Sequence, residues 1–354
     1  MKITCRNLIS IRTLRNSLFK IIIYYCATFS WYSLECSWDS KCTRILLVAD
    51  PQLIGLHNEN NRVLTPISIW DSDRYLAKTF SYAFHFTKPD VVIFLGDLFD
   101  EGSTATNPEF NTYLRRLFKI FLSRPFDTVQ HIWLPGDNDI GGEFYDRITN
   151  QKIKRFEHAF SQPDIIGVKN IKFYKINRLL SLMPVLKGKN DFSNLDTINV
   201  ALSHIPLILS PALFVDKVLE KLQPHVLFTA HTHNSMIVMM QQEFSKDRLI
   251  IPVRPDENQV YEYFLGISDI YEILVPTCSY RMGTDKIGYG YAILENGTLK
   301  YTVLWSPSRF LQLKIYLLSI VLVFIYLMVS CICKRCRKRK DNTTPIYSKL
   351  DRIA

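Results

Sequence analysis

The middle of this 354-residue sequence lacks net charge, although the whole chain carries a formal charge of +10. Residues 36–309 hold 29 Lys and Arg against 30 Asp and Glu, while residues 1–35 hold five basic residues against one acidic and residues 310–354 hold nine against two. A nucleic-acid-binding domain carries its basic residues on the folded body. We therefore expect no nucleic-acid partner. Basic ends beside a neutral body are typical of a membrane protein.

Cysteine is also scarce in the central part of the chain. Of the eight cysteines, only Cys36, Cys42 and Cys278 fall between residues 36 and 309. A Cys36–Cys42 bridge can form, which is compatible with an oxidising compartment without establishing one. The sequence has no internal repeat and no low-complexity stretch, so residues 42–305 read as one continuous domain.

One long apolar run lies near the C-terminus. Residues 315–333 carry no charge, and at ~1.5 Å per residue they nearly match the ~30 Å hydrocarbon core of a bilayer. A basic cluster follows at once, and such clusters stay on the cytosolic side of a span. We predict a transmembrane helix at 313–333 and a cytosolic tail at 334–354.

A second apolar segment, residues 21–34, is shorter and contains several polar residues. The five basic residues before it favour a signal anchor at 21–36 with residues 1–20 in the cytosol, but a cleaved signal peptide stays open. Either alternative places residues 42–305 in the lumen, as part of a multi-pass protein if the anchor is retained. Asn296, in an Asn-Gly-Thr sequon, would then be a glycosylation site.

Short apolar runs and helical patterns alternate through the central part. Runs at 45–48, 91–95, 131–134, 198–202 and 226–228 predict buried strands, and 71–87, 107–123 and 211–222 predict helices, with Asp71 and Asn107 as helix N-caps. The part after residue 236 is rich in strands. This order predicts an α/β layered fold, with mixed β-sheets flanked by helices.

Each of the five predicted strands is followed by a side chain that can bind a metal ion. A single Asp after a strand usually caps a helix, and a single His is usually structural, so the prediction rests on the ordered set. Ligands bind beyond the carboxyl ends of strands in α/β sheets, so these residues should converge. Mixed carboxylate and imidazole ligands suit Mn, Fe or Zn, and shared carboxylates can hold two cations on one phosphate. The residues are Asp50, Asp97, Asp137, His204, His231 and His233.

The motifs around these residues resemble the ordered blocks of the calcineurin-like metallophosphoesterases. They read Ala-Asp-Pro-Gln at 49–52, Gly-Asp-Leu-Phe-Asp at 96–100, Pro-Gly-Asp-Asn-Asp at 135–139, Leu-Ser-His-Ile-Pro at 202–206 and Ala-His-Thr-His at 230–233. With Pro-Thr-Cys-Ser-Tyr-Arg-Met-Gly at 276–283 and the apolar ends, the chain is similar to the fungal relatives of the GPI-glycan ethanolamine-phosphate phosphodiesterase.

The resemblance implies a phosphodiesterase that uses two divalent metal ions, with Mn first and Zn or Fe as alternatives. It implies an enzyme of the endoplasmic reticulum membrane, or of the Golgi, that removes ethanolamine phosphate from GPI-anchored proteins and helps them leave the endoplasmic reticulum. A cargo receptor would be a further partner. It also implies the ligand sets, namely Asp50, Asp97 and His233 for one metal ion, and Asp97, Asp137, His204 and His231 for the other.

Two positions depart from the family pattern. Gln52 stands where a ligand His is usual, and a neutral amide oxygen is a weaker metal donor. Asn138 stands where the family has a His that contacts the phosphate, and Asn cannot deliver a proton to the leaving oxygen. Arg281 is a candidate phosphate contact. Two rivals remain: a metallophosphatase for another lumenal substrate, and a catalytically weakened cargo or trafficking factor.

Overall fold

The structure is a computed structural model, and it describes residues 31–37, 42–57, 63–186, 197–241, 247–257, 259–266 and 269–341. The chain divides into a folded unit, Phe29–Pro307, and a second unit that contains the C-terminal helix. Residues 21–30 of the predicted signal anchor lie outside the described residues. Residues 31–36 form no helix, and Leu34 is buried in the core, so this part of the predicted span belongs to the folded unit.

The folded unit contains thirteen described strands and five helices. The strands are β1 (Cys42–Val48), β2 (Val91–Phe94), β3 (Gln130–Trp133), β4 (Ile165–Val168), β5 (Ile171–Ile176), β6 (Ile198–Ser203), β7 (Val226–Thr229), β8 (Met236–Gln241), β9 (Arg248–Pro252), β10 (Tyr261–Phe264), β11 (Asp269–Leu274), β12 (Gly288–Glu295) and β13 (Thr298–Trp305). The helices are α1 (Thr65–Thr87), α2 (Asn107–Phe121), α3 (Asp137–Ile140), α4 (Asn150–Ala159) and α5 (Leu213–Leu222).

Both sheets are mixed, as the sequence predicted. The first has the order β10-β13-β12-β1-β2-β3, and β1 runs parallel to β2 but antiparallel to β12. The second has the order β4-β5-β6-β7-β11-β8-β9, with β5, β6, β7 and β11 parallel in turn. The five predicted strands correspond to β1, β2, β3, β6 and β7, and the three predicted helices to α1, α2 and α5. These predictions are confirmed.

The alternation of side chains along the strands produces four layers. On β1, Leu46 and Val48 pack with α1 and α2, whereas Ile45 and Leu47 pack against the second sheet. Strands buried on both faces read as continuous apolar runs, which is why the sequence pattern identified them. The outer face of the second sheet packs on α5. The order of layers is therefore helix, sheet, sheet, helix.

Two predicted helix starts differ from the structure. α1 begins at Thr65, six residues before Asp71, because Pro66 occupies the first turn, where its missing N–H costs nothing. Asp71 is not an N-cap; it is buried and accepts a hydrogen bond of 2.9 Å from the Tyr280 hydroxyl. In α2 the N-cap is Thr106, which forms a capping box with Glu109, rather than Asn107.

Both chain ends of the folded unit lie together. The Trp31 indole N–H donates to the Trp305 carbonyl oxygen at 2.8 Å, and a disulfide joins Cys36 to Cys42 at the start of β1. The Asn296 sequon occupies the exposed turn between β12 and β13, where Asn296 and Gly297 both have positive φ. An exposed hairpin turn is accessible to a glycosyltransferase, but glycosylation itself stays a prediction.

The C-terminal helix, α6 (Arg309–Asp341), contains the predicted span at 313–333. Among the described residues it is the one helix long and apolar enough to cross a membrane, and its qualifying part is Arg309–Arg335. This evidence rests on length and composition. The 27 residues would extend ~40 Å, which exceeds the ~30 Å hydrocarbon core.

His131 of β3 gives the fold a dependence on pH. Its ring stacks on Phe94 and Trp133, and its Nε2 has no hydrogen-bond partner within the described part of the chain. Burial lowers the pKa of His131 to about 4. A lowered folded-state pKa contributes stability that is present above the unfolded value of ~6.5 and is lost as the pH falls toward 4.

We therefore expect acid to destabilise the wild type more than His131→Phe. Between pH 7.5 and 5 the wild type should lose about 2 kcal/mol more, which corresponds to roughly 4–8 °C in melting temperature. The measurement is thermal unfolding of the full chain in detergent at both pH values. Equal acid shifts in the two proteins would contradict the assignment.

Candidate metal centre

The predicted metal-binding residues lie at the ends of five strands that meet at one edge of the sheet pair. Asp50 follows β1, Asp97 follows β2, and Asp137 is the first residue of α3, just after β3. His204 directly follows β6, and His231 and His233 follow β7. Because the two sheets pack face to face, loops from both reach the same site. The order of strands thus brings together residues that are far apart in the sequence.

These residues form two groups that share one carboxylate. One group contains Asp97, Asp137, His204 and His231, and the other contains Asp50, Asp97 and His233. Within each group the candidate ligand atoms lie within 4.8 Å of one another. A carboxylate common to both groups is the arrangement that can bridge two cations. The partition equals the one implied by the family resemblance, and metal binding itself stays a prediction.

The backbone at these residues is unusual. Asp50, Asp97, His231 and His233 have φ between 46° and 68°, in the left-handed region that non-glycine residues seldom adopt. Gln52 shares this conformation, with φ of 38°. Such positions cost about 1–3 kcal/mol each and cluster at functional sites. The sharp turns aim each side chain back toward the strand ends, which explains how they converge.

Two glycines allow the close approach of the ligand loops. A Cβ at Gly136 would lie 2.0 Å from Oδ1 of Asp97, and one at Gly96 would lie 2.6 Å from Nδ1 of His204. Gly96 also has φ of 102°. The Gly-Asp pairs at 96–97 and 136–137 are therefore required by packing around Asp97 and not only by turn geometry.

Asp50 has two buried carboxylate oxygens without a hydrogen bond in the part of the chain that the structure describes. The His204 Nδ1 lies 3.7 Å from Oδ1 of Asp50. Burial raises the pKa of Asp50 to about 7, and the neighbouring Asp97 adds to the rise. A buried carboxylate without donors is costly unless a cation lies beside it. This observation fits a metal ion at the group of Asp50, Asp97 and His233.

Asp137 lies between two imidazoles. Its Oδ1 is 2.9 Å from His204 Nε2 and 3.2 Å from His231 Nδ1. Burial opposes ionisation of Asp137, but the hydrogen bonds from both rings outweigh it and hold its pKa well below the usual range. Burial also opposes protonation of His204, yet the charge of Asp97 and the bond to Asp137 raise the pKa of that ring to about 10.

His204 has the orientation of a metal ligand. Its Nδ1–H donates to the Leu95 carbonyl oxygen at 2.8 Å, which leaves Nε2 pointing at Asp97 and Asp137. Metal-bound histidines usually make such a bond from the second ring nitrogen, because it fixes both the tautomer and the ring direction. The donor set of oxygens and imidazole nitrogens suits Mn, Fe or Zn.

The two positions that depart from the family pattern both contact Asp97. The Gln52 side-chain amide donates to Oδ2 of Asp97 at 2.9 Å, and its Nε2 is 3.4 Å from Nε2 of His233. Asn138 donates twice, from its backbone to Oδ1 at 3.0 Å and from its side chain to Oδ2 at 3.1 Å. Gln52 lies beside the candidate ligands, and in this orientation it donates to Asp97; its role as a metal ligand stays a prediction.

Asp139 supports the site, although its position in the sequence did not single it out. It is fully buried and accepts hydrogen bonds from the backbone N–H groups of Leu98, Phe99 and Gly136. It therefore joins the loop of Asp97 to the loop of Asp137. Burial, with the nearby Asp97, raises the pKa of Asp139 to about 8. The signal was present in the sequence as the last residue of the Gly-Asp-Asn-Asp motif.

Arg281 lies outside both groups. It follows residues 276–280. In that segment the Thr277 hydroxyl donates to the Asp50 carbonyl oxygen at 2.8 Å, which supports the Asp50 loop. The Arg281 side chain is half-buried. A role in phosphate binding stays a prediction.

Comparison with known proteins agrees with the geometry. A profile of calcineurin-like phosphoesterases matches residues 43–235, more than half of the chain. Metallophosphoesterase 1 of Danio rerio is 31% identical over 162 residues, which are 44% of this chain and 40% of that protein. The Metallophosphoesterase 1 homolog of Caenorhabditis elegans is 23% identical over 340 residues, covering 82% and 84%. The match with the zebrafish protein thus spans well under half of that protein.

Solved structures are similar at a lower level. A dimetal phosphatase from Danio rerio aligns with a TM-score of 0.43 and 12% identity, covering 74% of this chain and 95% of that one. A metallophosphoesterase from Sphaerobacter thermophilus aligns with a TM-score of 0.37 and 12% identity, covering 74% and 87%. These scores add no weight to the assignment. The profile match, which contains every residue of both ligand groups, shows that the chain belongs to the calcineurin-like phosphoesterases, a family of metal-dependent phosphoesterases.

Proposed function

We propose that this protein is a two-metal phosphodiesterase. The observation that carries the proposal is the pair of ligand groups that share Asp97. When bound, two such cations would stabilise charge on the phosphoryl oxygens and provide a nucleophile at neutral pH. His231 and His233 are the least buried members of the groups, so the phosphate would approach from their side.

The protein side chains have separate tasks in this proposal. Asp97 would be held for bridging by three hydrogen bonds, from Gln52 and from the backbone and side chain of Asn138. Asp139 would fix the distance between the two aspartate loops. The Asn138 amide can donate to a phosphate oxygen but has no proton to transfer. We infer that the leaving oxygen departs without a general acid at this position.

As substrate we propose the ethanolamine-phosphate diester of the GPI-anchor glycan, with Mn as the metal. The motif resemblance supports this choice, and the similarity to proteins named metallophosphoesterase 1 supports metal-dependent phosphoester hydrolysis. We further propose a lumenal catalytic domain in the endoplasmic reticulum membrane, or the Golgi, with GPI-anchored proteins as substrates and a cargo receptor as partner. α6 supports membrane attachment, and the Cys36–Cys42 disulfide is compatible with an oxidising lumen.

The direct test is hydrolysis of an ethanolamine-phosphate diester by the purified full chain. We expect activity with added Mn, little activity with a chelator, and recovery when Mn is restored. A phosphomonoester should be a poorer substrate in the same assay. Glycans of GPI-anchored proteins from cells without this protein should retain the extra ethanolamine phosphate. Normal glycans in such cells, with activity on another diester, would favour a different lumenal substrate.

The second candidate is a catalytically weakened trafficking factor. It is favoured by Gln52 and Asn138, the two residues beside Asp97 that depart from the family pattern. Neither Gln52 nor Asn138 can replace the imidazole that the family pattern places there. Metal content separates the two proposals, because a binding module has no need of two tightly held transition metals. Elemental analysis should find about two metal ions per chain if the protein is an enzyme, and fewer than one if it is not.

A further inference from the structure

The exposed side of α1 carries aromatic and basic residues in a single row. Ile67, Trp70, Arg74, Lys78 and Tyr82 follow one another at spacings of three and four residues, which places them on one side of the helix. All five are exposed, and the exposed fractions of Ile67, Trp70 and Tyr82 are 61%, 60% and 44%. We call these five residues the α1 stripe. Single exposed apolar residues need no explanation, but three of them in one row with two basic residues form a candidate interaction surface.

Each aromatic ring of the α1 stripe has a cation beside it. The Arg74 guanidinium lies 5.6 Å from the centre of the Trp70 ring, and the Lys78 ammonium lies 5.9 Å from that of Tyr82. Trp and Tyr are enriched at the level of lipid headgroups, where their rings are apolar and their polar atoms stay hydrated. Arg and Lys extend from an apolar stem to the phosphate level. The composition therefore fits a lipid headgroup layer.

The position of α1 in the folded unit supports the same partner. Tyr75, the buried neighbour of Arg74 in α1, donates from its hydroxyl to the Pro307 carbonyl oxygen at 2.8 Å. Pro307 is the last residue of the folded unit, and α6 begins two residues later, at Arg309. Two residues reach at most ~7 Å, and the uncharged run from residue 315 begins ~9 Å further along the helix. The covalent path from Pro307 to the uncharged run is thus about 16 Å or less.

We propose that the α1 stripe docks on the phospholipid headgroup layer of the bilayer that α6 spans. Ile67, Trp70 and Tyr82 would enter the boundary between headgroups and acyl chains, and Arg74 and Lys78 would bind headgroup phosphates. Zwitterionic lipids also present phosphate, so the surface does not need an anionic membrane. This contact goes beyond the proposed hydrolysis: it would hold the catalytic unit in one orientation on the membrane. It rests on the proposed membrane attachment through α6 and not on catalysis.

The test is quenching of Trp70 fluorescence by brominated lipid. The full chain is reconstituted in phosphatidylcholine liposomes, with or without lipid brominated near the headgroup end of the acyl chain. Subtraction of the Trp70→Phe signal isolates Trp70 from the other four tryptophans. We expect bromination to lower the Trp70 emission at least twofold. Trp133→Phe, which removes a buried tryptophan, should leave this component unchanged.

A second set of variants tests the surface and not only the reporter. In the double variant Ile67→Glu, Tyr82→Glu, Trp70 remains but should lose most of its quenching. Leu249→Glu is the matched control, because Leu249 is 53% exposed on the edge strand β9 and lies outside the α1 stripe. It should keep the wild-type quenching. The variants lie outside the metal centre, so hydrolysis should stay measurable in all of them.

Three outcomes would overturn the proposal. If brominated lipid leaves the Trp70 emission unchanged while the chain resists alkaline extraction, α6 is inserted and the α1 stripe is not docked. A partner protein that covers the stripe would give this result. If alkali extracts the chain from the liposomes, the proposed membrane attachment through α6 is wrong. Loss of quenching in Leu249→Glu as large as in the double variant would show that the membrane contact does not depend on the α1 stripe. Activity is not part of the readout, so failure of the proposed hydrolysis leaves the test intact.

Discussion

Asp97→Asn is expected to lower the rate of diester hydrolysis by about 10³- to 10⁴-fold, because Asp97 is the one residue that both ligand groups contain. Stabilisation of transition-state charge by metal ions contributes several kcal/mol, and each 1.36 kcal/mol corresponds to a factor of ten in rate. Asparagine keeps the shape of the side chain but removes its negative charge. The measurement is kcat with saturating Mn, together with metal content by elemental analysis.

The matched control for this prediction is Asp216→Asn, which neutralises an exposed aspartate of α5. It should leave kcat and metal content unchanged. Circular dichroism should show that both variants fold, since the one oxygen of the Asn side chain can still accept the hydrogen bond from the Asn138 backbone. Wild-type kcat in Asp97→Asn, with two metal ions retained, would contradict the two-metal proposal.

Asn138→His should increase kcat by about 10²-fold or more, because it supplies the proton donor that the family pattern has at this position. Asn138 already lies beside Asp97, with its amide nitrogen 3.1 Å from Oδ2. An imidazole at this position would therefore face a phosphate bound at the metal centre. A general acid works in its protonated form. The gain should therefore be largest below the pKa of the new histidine, ~6.5 for an unperturbed ring, and should fall as the pH rises above it.

Asn138→Gln separates proton donation from side-chain size. Glutamine is longer than asparagine but has an amide that cannot donate a proton to the leaving oxygen, so this variant should show no gain. The comparison is kcat against pH for the wild type and both variants. A gain of equal size in Asn138→Gln, or one that does not depend on pH, would show that proton transfer is not the limiting feature.

The sequence was sufficient to predict the sheets and the residues that meet at their edge. Buried parallel strands must be apolar on both faces, so runs such as 91–95 stand out from the polar loops around them. Parallel strands also point their carboxyl ends the same way, so the residue after each strand can be placed without knowing the connections. The mixed α/β fold is confirmed on this basis, and the six candidate ligands lie at one edge.

Features that depend on contacts distant in the sequence were not predictable. Asp71 looks like an N-cap because its partner, Tyr280, is 209 residues away. Asp139 looks like an ordinary turn residue until its three backbone donors are seen around it. The β4–β5 hairpin was missed, since β4 is a partly exposed edge strand and two lysines interrupt the apolar residues of β5. Local spacing cannot report such interactions.

The hydrogen bond from Trp31 to the Trp305 carbonyl oxygen means that the chain enters and leaves the folded unit at one corner. Changes to the chain before Trp31 therefore act at the same corner of the fold as changes after Trp305. Removal of the residues before Trp31 should leave the metal centre intact, because all of its candidate ligands lie between Asp50 and His233.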